Sequence, residues 1–210
     1  MRSDYRTVKQ QGEDEIIINK SRFIASVKRT ETEAEALEFI QQIKQVHASA
    51  THNCSAYLVG EHDQIQKAND DGEPSGTAGV PMLEVLKKQG LKDTTVVVTR
   101  YFGGIKLGGG GLIRAYGRSA SAGVAAAGTV ERRLHSTMHV TVDYTALGKV
   151  ENEVRQSAWP LDGIEYGEQV TLSVSVPVPE VGEFTRWAAD LTNGQADVVE
   201  GVQKFLEFSV

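Results

Sequence analysis

Apolar positions along the chain change period several times, and each change marks an element. Ile16-Ile17-Ile18 and the run from Arg22 to Val27 read as two short strands joined through Asn19-Lys20-Ser21, a hairpin. Thr32-Glu33-Ala34-Glu35 fits a capping box, and Ala36, Phe39, Ile40, Ile43 and Val46 recur at helical spacing. That spacing predicts a helix over 32–48 whose apolar stripe faces a sheet. Ser55 to Val59 reads as a strand, followed by a polar turn over 60–64 and a short return at Ile65-Gln66-Lys67. The segment Asp70-Asp71-Gly72-Glu73-Pro74-Ser75-Gly76-Thr77-Ala78-Gly79 is too rich in Gly, Pro and Asp for regular structure and is expected to be a loop. Pro81 and Gly90 bracket a helix containing Leu83, Leu86 and Lys87. Thr94 to Thr99 holds three successive valines, the mark of a central, buried strand. It runs through a glycine-rich loop, Tyr101 to Gly111, into a helix of small residues expected from about Leu112 to Ala127 and stopped by Gly128.

Beyond that point the pattern changes. Met138, Val140, Val142 and Tyr144 alternate with polar residues, as do Val170, Leu172, Val174 and Val176, and again Leu206, Phe208 and Val210, so all three runs read as half-exposed strands. Leu147, Val150, Val154 and Ala158 mark one amphipathic helix, and Val181, Phe184, Ala188 and Leu191 another. With a further strand near Gly163 to Tyr166, the order is β-α-β-β-α-β, the split βαβ or ferredoxin-like arrangement. The expectation is an α+β chain of two domains, 1–132 and 133–210.

A length of 210 residues suits two small domains, and 40% hydrophobic with 24% charged residues suits folded ones. Charge separates the halves. Residues 1–135 carry 18 Lys and Arg against 16 Asp and Glu, whereas 136–210 carry 4 against 12, so the overall charge of −6 hides a slightly basic first part and a strongly acidic second. Neither a signal peptide nor a run of about 20 apolar residues is present, which leads to the expectation of a soluble, cytoplasmic protein with no membrane partner. Cys54 is the single cysteine, so an internal disulfide and a multi-cysteine zinc site are excluded; it reads as a small buried hydrophobe.

The sharpest chemical feature is the segment from Arg100 to Arg118. No Asp or Glu occurs between Thr94 and Gly128. Glycines let backbone N–H groups converge on an anion at the start of a helix, and Arg100, Lys106, Arg114 and Arg118 add positive charge. Tyr101, Phe102 and Tyr116 interleave aromatic surface on which unpaired bases stack. The candidate nucleic-acid or phosphate-binding residues are therefore Arg100, Tyr101, Phe102, Gly103, Gly104, Lys106, Gly108, Gly109, Gly110, Arg114 and Arg118. The alternative is a tightly packed elbow. Neither a P-loop nor a dinucleotide fingerprint is matched, because Lys106 is followed by Leu107 and no Gly-x-Gly-x-x-Gly opens the helix. Asp70, Asp71 and Glu73 either hold Mg²⁺ beside a phosphate or serve as cap and turn chemistry for the next helix. His52 is a candidate polar site residue; with His47 and Cys54 it lacks a fourth ligand for zinc, so no metal site is assigned with these residues. No catalytic residue is assigned.

Asp70-Asp71-Gly72-Glu73-Pro74, then Gly76-Thr77-Ala78-Gly79-Val80-Pro81, and then Thr99 through Gly108 to Leu112 closely resemble the signature of the IMPACT family, bacterial YigZ-like branch; His52-Asn53-Cys54 is similar to its first block. The resemblance implies a first domain like ribosomal protein S5 domain 2, a fold shared with small-molecule kinases, and a ferredoxin-like second domain similar to one in elongation factor G. Both implied relatives sit on ribosomal RNA; together with the acid-free stretch from Thr94 to Gly128 and its Lys106, Arg114 and Arg118, this leads to the expectation of a non-enzymatic RNA- or ribosome-binding protein with a role in regulating translation. The scaffold-binding domain of eukaryotic members has no counterpart in these residues, so that partner is not implied. The alternative is an enzyme acting on a phosphorylated small molecule or nucleotide, with Mg²⁺ as cofactor in that reading alone. A protein-interaction module is the third reading.

Overall fold

The computed structural model describes residues 4–210. The chain is α+β and divides into two compact units, one ending at Glu131 and taking back Phe208–Val210, the other formed by Arg132–Glu207.

In the first unit, β1 (Tyr5–Val8) precedes a five-stranded antiparallel sheet whose order is β2 (Gly12–Ile18), β3 (Ser21–Arg29), β6 (Thr94–Tyr101), β4 (His52–Val59), β5 (Ile65–Asn69). The hairpin expected at Asn19-Lys20 forms with Ile18 opposite Ser21, and both turn residues take positive φ, the geometry that matches strand twist. β6 is central, as its valines predict. It is buried on both faces: Val96 and Val98 enter the main core with Phe23, Ala25, Cys54 and Leu58, while Val97 joins Phe39 and Ile43 on the other side. Two layers of helix follow from this alternation. Helix α1 (Glu33–Val46) covers the Val97 face, and α2 (Gly79–Lys88) and α3 (Gly108–Ala127) cover the face with Val96 and Val98. The Thr32 hydroxyl caps α1 by accepting from the Glu35 N–H, while the Glu35 carboxylate reaches back to the Glu31 N–H.

One boundary differs from expectation in a way that matters. Helix α3 begins at Gly108, about a turn earlier than Leu112, so Gly108 to Gly111 form its first turn and the loop shrinks to residues 102–107. The low helix propensity of glycine hides this start from a reading of the sequence. The small residues of α3 let it lie close on the sheet, and the tightest point is Gly123, where an added Cβ would stand 2.8 Å from Ala25 Cβ and 2.9 Å from Val27 Cγ2.

The second unit has the element order β7 (Thr129–Val142), α4 (Tyr144–Gln156), β8 (Leu161–Tyr166), β9 (Val170–Pro177), α5 (Val181–Leu191), β10 (Asp197–Ser209), with one 3₁₀ turn before α5. β9 pairs antiparallel with both β7 and β8, and β10 pairs with β7, so the order β10-β7-β9-β8 is that of a ferredoxin-like sheet. Met138, Val140, Leu172 and Val174 pack under Val150, Val154 and Phe184 of the helices. Tyr144 does not continue the strand; it opens α4 and is exposed, and Ala158 lies past the end of that helix. β10 begins nine residues before Leu206, in a stretch whose glycine and mixed polarity obscure the alternation.

Helix propensity and packing make opposite demands at two glycines of α3. At Gly117 the nearest atom to an added Cβ is Val85 Cγ2 at 4.0 Å, ordinary contact, so Gly117→Ala is expected to raise stability by about 0.5–1 kcal/mol. Gly123→Ala carries the same propensity gain and is expected to lose about 1–3 kcal/mol through overpacking. Urea denaturation of both variants checks the pair.

Candidate functional site

The site grows from strand register. Antiparallel pairing of β4 with β6 sets His52 opposite Arg100, Asn53 opposite Thr99 and Cys54 opposite Val98. Segment 70–79 then folds across the start of β4, because its carboxylates find their partners there. Asp70 accepts from the backbone N–H groups of Gly76, Ala78 and Gly79 at 2.8–3.1 Å, which closes the turn and starts α2. Asp71 accepts from the Asn53 N–H at 2.7 Å and from Lys44 Nζ at 2.8 Å. Burial opposes the charge of each, but these donors outweigh it and hold both carboxyls below their ordinary pKa.

Glu73 takes a third direction, into the interior. Its Oε1 accepts from Arg100 Nη1 and from the Tyr116 hydroxyl, each at 2.7 Å. Arg100 and Glu73 are both buried, with side chains 6% and 3% exposed. The Arg100 guanidinium lies between the rings of Phe23 and Phe102, 5.4 Å from each centroid. Burial, then the neighbouring Cys54 and Glu73, push the Tyr116 hydroxyl well above its ordinary pKa, so it stays a proton donor. Cys54 donates to the Asp70 carbonyl at 3.0 Å, and burial pushes its thiol up to about 12. It is an inert packing residue, as its sequence context suggests.

Above this buried network opens a cavity of about 400 Å³, lined by Thr51, His52, Glu73, Pro74, Arg100, Phe102 and, at the entry to α3, Lys106 to Gly109. His52 Nδ1 lies 2.8 Å from the Asp71 carbonyl oxygen, which can only accept, so that nitrogen donates, and in the neutral imidazole Nε2 is the acceptor. Nε2 stands 3.7 Å from Glu73 Oε2. The loop 102–107 is tied on both sides: Phe102 N–H donates to Thr51 Oγ1, and Gly103 N–H donates to Ser21 Oγ. Gly103 also presses on the hairpin turn, where an added Cβ would stand 2.1 Å from the Lys20 carbonyl carbon, so only glycine fits.

The candidate residues thus separate into distinct roles. Arg100 is buried in an ion pair. Tyr101 is half-buried; its hydroxyl bonds His47 Nδ1 at 2.9 Å, and Arg22 sits over its ring. Tyr116, expected on the surface, is fully buried with its ring edge-on to Phe23, a correction that follows from its place on the inner face of α3. Phe102 remains 47% exposed, and Lys106, Gly104, Gly108, Gly109 and Gly110 are exposed beside it. Arg114 and Arg118 are also exposed but belong to a second hollow with Ile18, Asn19, Leu107 and Gly111. Leu107 is shared with the cavity. Arg118 in turn joins a third hollow with Lys88, Gln89 and Ser121. Asp70, Asp71 and Glu73 turn to three separate sets of partners, and no cluster of three metal-ligating side chains occurs among the described residues. Sequence reasoning missed Thr51, Ser21 and Lys88, whose placement depends on pairing between distant segments.

A family model described as the Impact N-terminal domain matches residues 19–124, and the protein is 60% identical over 210 residues to IMPACT family member YvyE of Bacillus subtilis, covering 100% of this chain and 97% of that one. The chain belongs to the IMPACT family. IMPACT family member YigZ of Escherichia coli is 34% identical over 184 residues, 87% of this chain and 90% of the relative. A second model, described as a domain of unknown function (DUF1949), matches residues 140–195. A crystal structure described as that of a hypothetical protein aligns with a TM-score of 0.61 at 31% identity, over 96% of this chain and 99% of that one. No helix among the described residues is long and apolar enough to cross a membrane.

Acid tests the anchoring role of the two aspartates. Their pKa values are lowered on folding, so their stabilising contribution is complete above the unfolded value, near 3.9, and is lost as pH falls through the folded value. Melting temperature is expected to drop steeply below about pH 4. Asp70→Asn is expected to melt lower at pH 7 and to lose less on acidification; an unchanged pH profile would show that Asp70 is not a source of the acid sensitivity.

Proposed function

We propose that this IMPACT-family protein is a non-enzymatic RNA-binding protein acting on the ribosome or on structured RNA in the cytosol, with a role in regulating translation. The observation that carries the reading is the chain of three adjoining hollows from His52 past Leu107 and Arg118 to Lys88. Lys106, Arg114, Arg118 and Lys88 stand along it, and none of the four has an ion-pair partner among the described residues. The single acid lining these hollows is Glu73, already paired with Arg100. A polyanion laid along this track meets positive charge without an opposing carboxylate, and Phe102 offers a ring at one end for a base to stack on.

The signature resemblance implies a first unit like ribosomal protein S5 domain 2 and a second like a domain of elongation factor G, and this implication supports the same choice of partner, because those proteins sit on ribosomal RNA. The strongly acidic second part keeps the protein soluble or faces protein. An enzymatic reading through Mg²⁺ finds less support: the carboxylates it requires are engaged by Lys44, Arg100 and backbone donors.

Binding to a single-stranded RNA or to ribosomes is expected to weaken with salt, log K falling by about 0.7 per phosphate contact against log salt for a single strand. Lys106→Ala with Arg114→Ala is expected to reduce that slope by about 1.4 and to weaken binding at low salt, because two contacts are removed. Fluorescence anisotropy over a salt series reads both quantities. Identical wild-type and variant curves would dismiss the track as the RNA interface.

A further inference from the structure

The cavity at the His52 end of the track has a hydrogen-bonding pattern that the phosphate contacts leave unused. Glu73 Oε1 already accepts two bonds, from Arg100 and Tyr116, whereas Oε2 has no donor closer than hydrogen-bond range, its neighbour being His52 Nε2 at 3.7 Å. In the neutral imidazole His52 Nε2 is itself an acceptor, since Nδ1 donates to the Asp71 carbonyl. Two acceptors therefore lie side by side on the cavity wall with no hydrogen between them. Arg100 is 5% exposed and lines the same cavity, and its Nε–H is buried without a partner. Two neighbouring acceptors without a donor between them are selective toward a ligand that supplies one.

A single NH₂ group fits between the two acceptors, because it carries two hydrogens that diverge from one nitrogen and can reach one acceptor each. A ring nitrogen or carbonyl beside that amino group can accept from the guanidinium. An exocyclic amine next to a ring acceptor is the edge that adenine, cytosine and guanine present; uracil has no amino group. The cavity, at about 400 Å³, falls within the size range of small-molecule pockets, roughly 300–1,000 Å³. Phe102, half-exposed at its rim and backed by the Arg100 guanidinium, offers a face for stacking. Lys106 lines the same cavity and is placed for the phosphate of the same nucleotide.

We infer that the cavity takes one unpaired, amino-bearing nucleobase, held between Glu73 Oε2 and His52 Nε2 and stacked on Phe102. The inference rests on the RNA reading only for the source of that base, a strand or a free nucleotide. Short strands separate the possibilities: eight-residue oligo(A) and oligo(C) are expected to bind about ten-fold more tightly than oligo(U) at equal salt. An oligo(A) in which purine riboside replaces adenosine keeps the ring and loses the amine, and it is expected to fall to the oligo(U) level. His52→Ala is expected to abolish the preference, with oligo(A), oligo(C) and oligo(U) binding alike and the melting curve still cooperative. If oligo(U) or the purine riboside strand binds the unchanged protein as tightly as oligo(A), the inference is overturned although RNA binding stands. If no strand binds, the RNA reading falls, and calorimetry with AMP against purine riboside 5′-monophosphate decides the cavity by itself: a preference for AMP supports it and equal or absent binding removes it.

Discussion

The Arg100–Glu73 ion pair is the interaction on which the first unit's functional end depends. It joins the end of the central strand to the 70–79 segment, and through the Tyr116 hydroxyl it ties both to the inner face of α3. A buried pair of this kind adds little net stability over a well-packed apolar core, since desolvation offsets most of the attraction. Its consequence is positional. An apolar substitute would tolerate the segment at several heights above the sheet, whereas two bonds to one carboxylate oxygen hold Glu73 at one height. His52, Pro74 and Phe102 inherit their places around the cavity from that constraint.

The same pair shapes the electrostatics of the surface. Segment 70–79 brings three carboxylates to the most basic region of the chain, and an unpaired acid there would cancel the field of Lys106. Each is silenced differently: Glu73 by Arg100, Asp71 by Lys44 and the Asn53 N–H, Asp70 by three backbone donors. The exposed cations are left without local opposition, so a chain of net charge −6 still carries a positive track. Averages over the sequence conceal this, because pairing distinguishes charges that composition counts alike.

Much of the fold was legible because its signals are local. The Asn19-Lys20 turn, the Thr32 cap, the valines of β6 and the alternation in the second unit each act over fewer than ten residues, and the structure follows them. The misreadings share a cause as well. Gly108 to Gly111 look like loop because propensity ignores what packing on the sheet supplies to α3, and Tyr116 looks like surface because helical phase could not be set without the true start of that helix. Charge and glycine content pointed to a segment that lines the cavity, but the division of labour within it was hidden. Arg100 and Lys106 are six positions apart in one basic stretch, yet one is sealed beneath Phe102 and the other open to solvent, a difference created by the partner Glu73 from 27 residues upstream.

That separation bears on what the family signature encodes. The three signature blocks, around His52, Asp70 to Pro81 and Thr99 to Leu112, are distant in sequence and converge because β4 and β6 pair with His52 opposite Arg100, after which the second block folds across that pair. Within them, Asp70, Asp71, Cys54, Thr99 and Gly103 are fully occupied by structural contacts. His52 Nε2, Glu73 Oε2, Phe102 and Lys106 face the cavity with bonding capacity or surface left over. A motif built only to make a tight elbow would satisfy its buried polar atoms internally, as the surrounding residues do. Glu73 Oε2 and His52 Nε2 stand side by side on the cavity wall outside that internal bonding. Residual hydrogen-bonding capacity concentrated in one concave site is what a recognition surface requires, and it argues that the elbow exists to hold that site open.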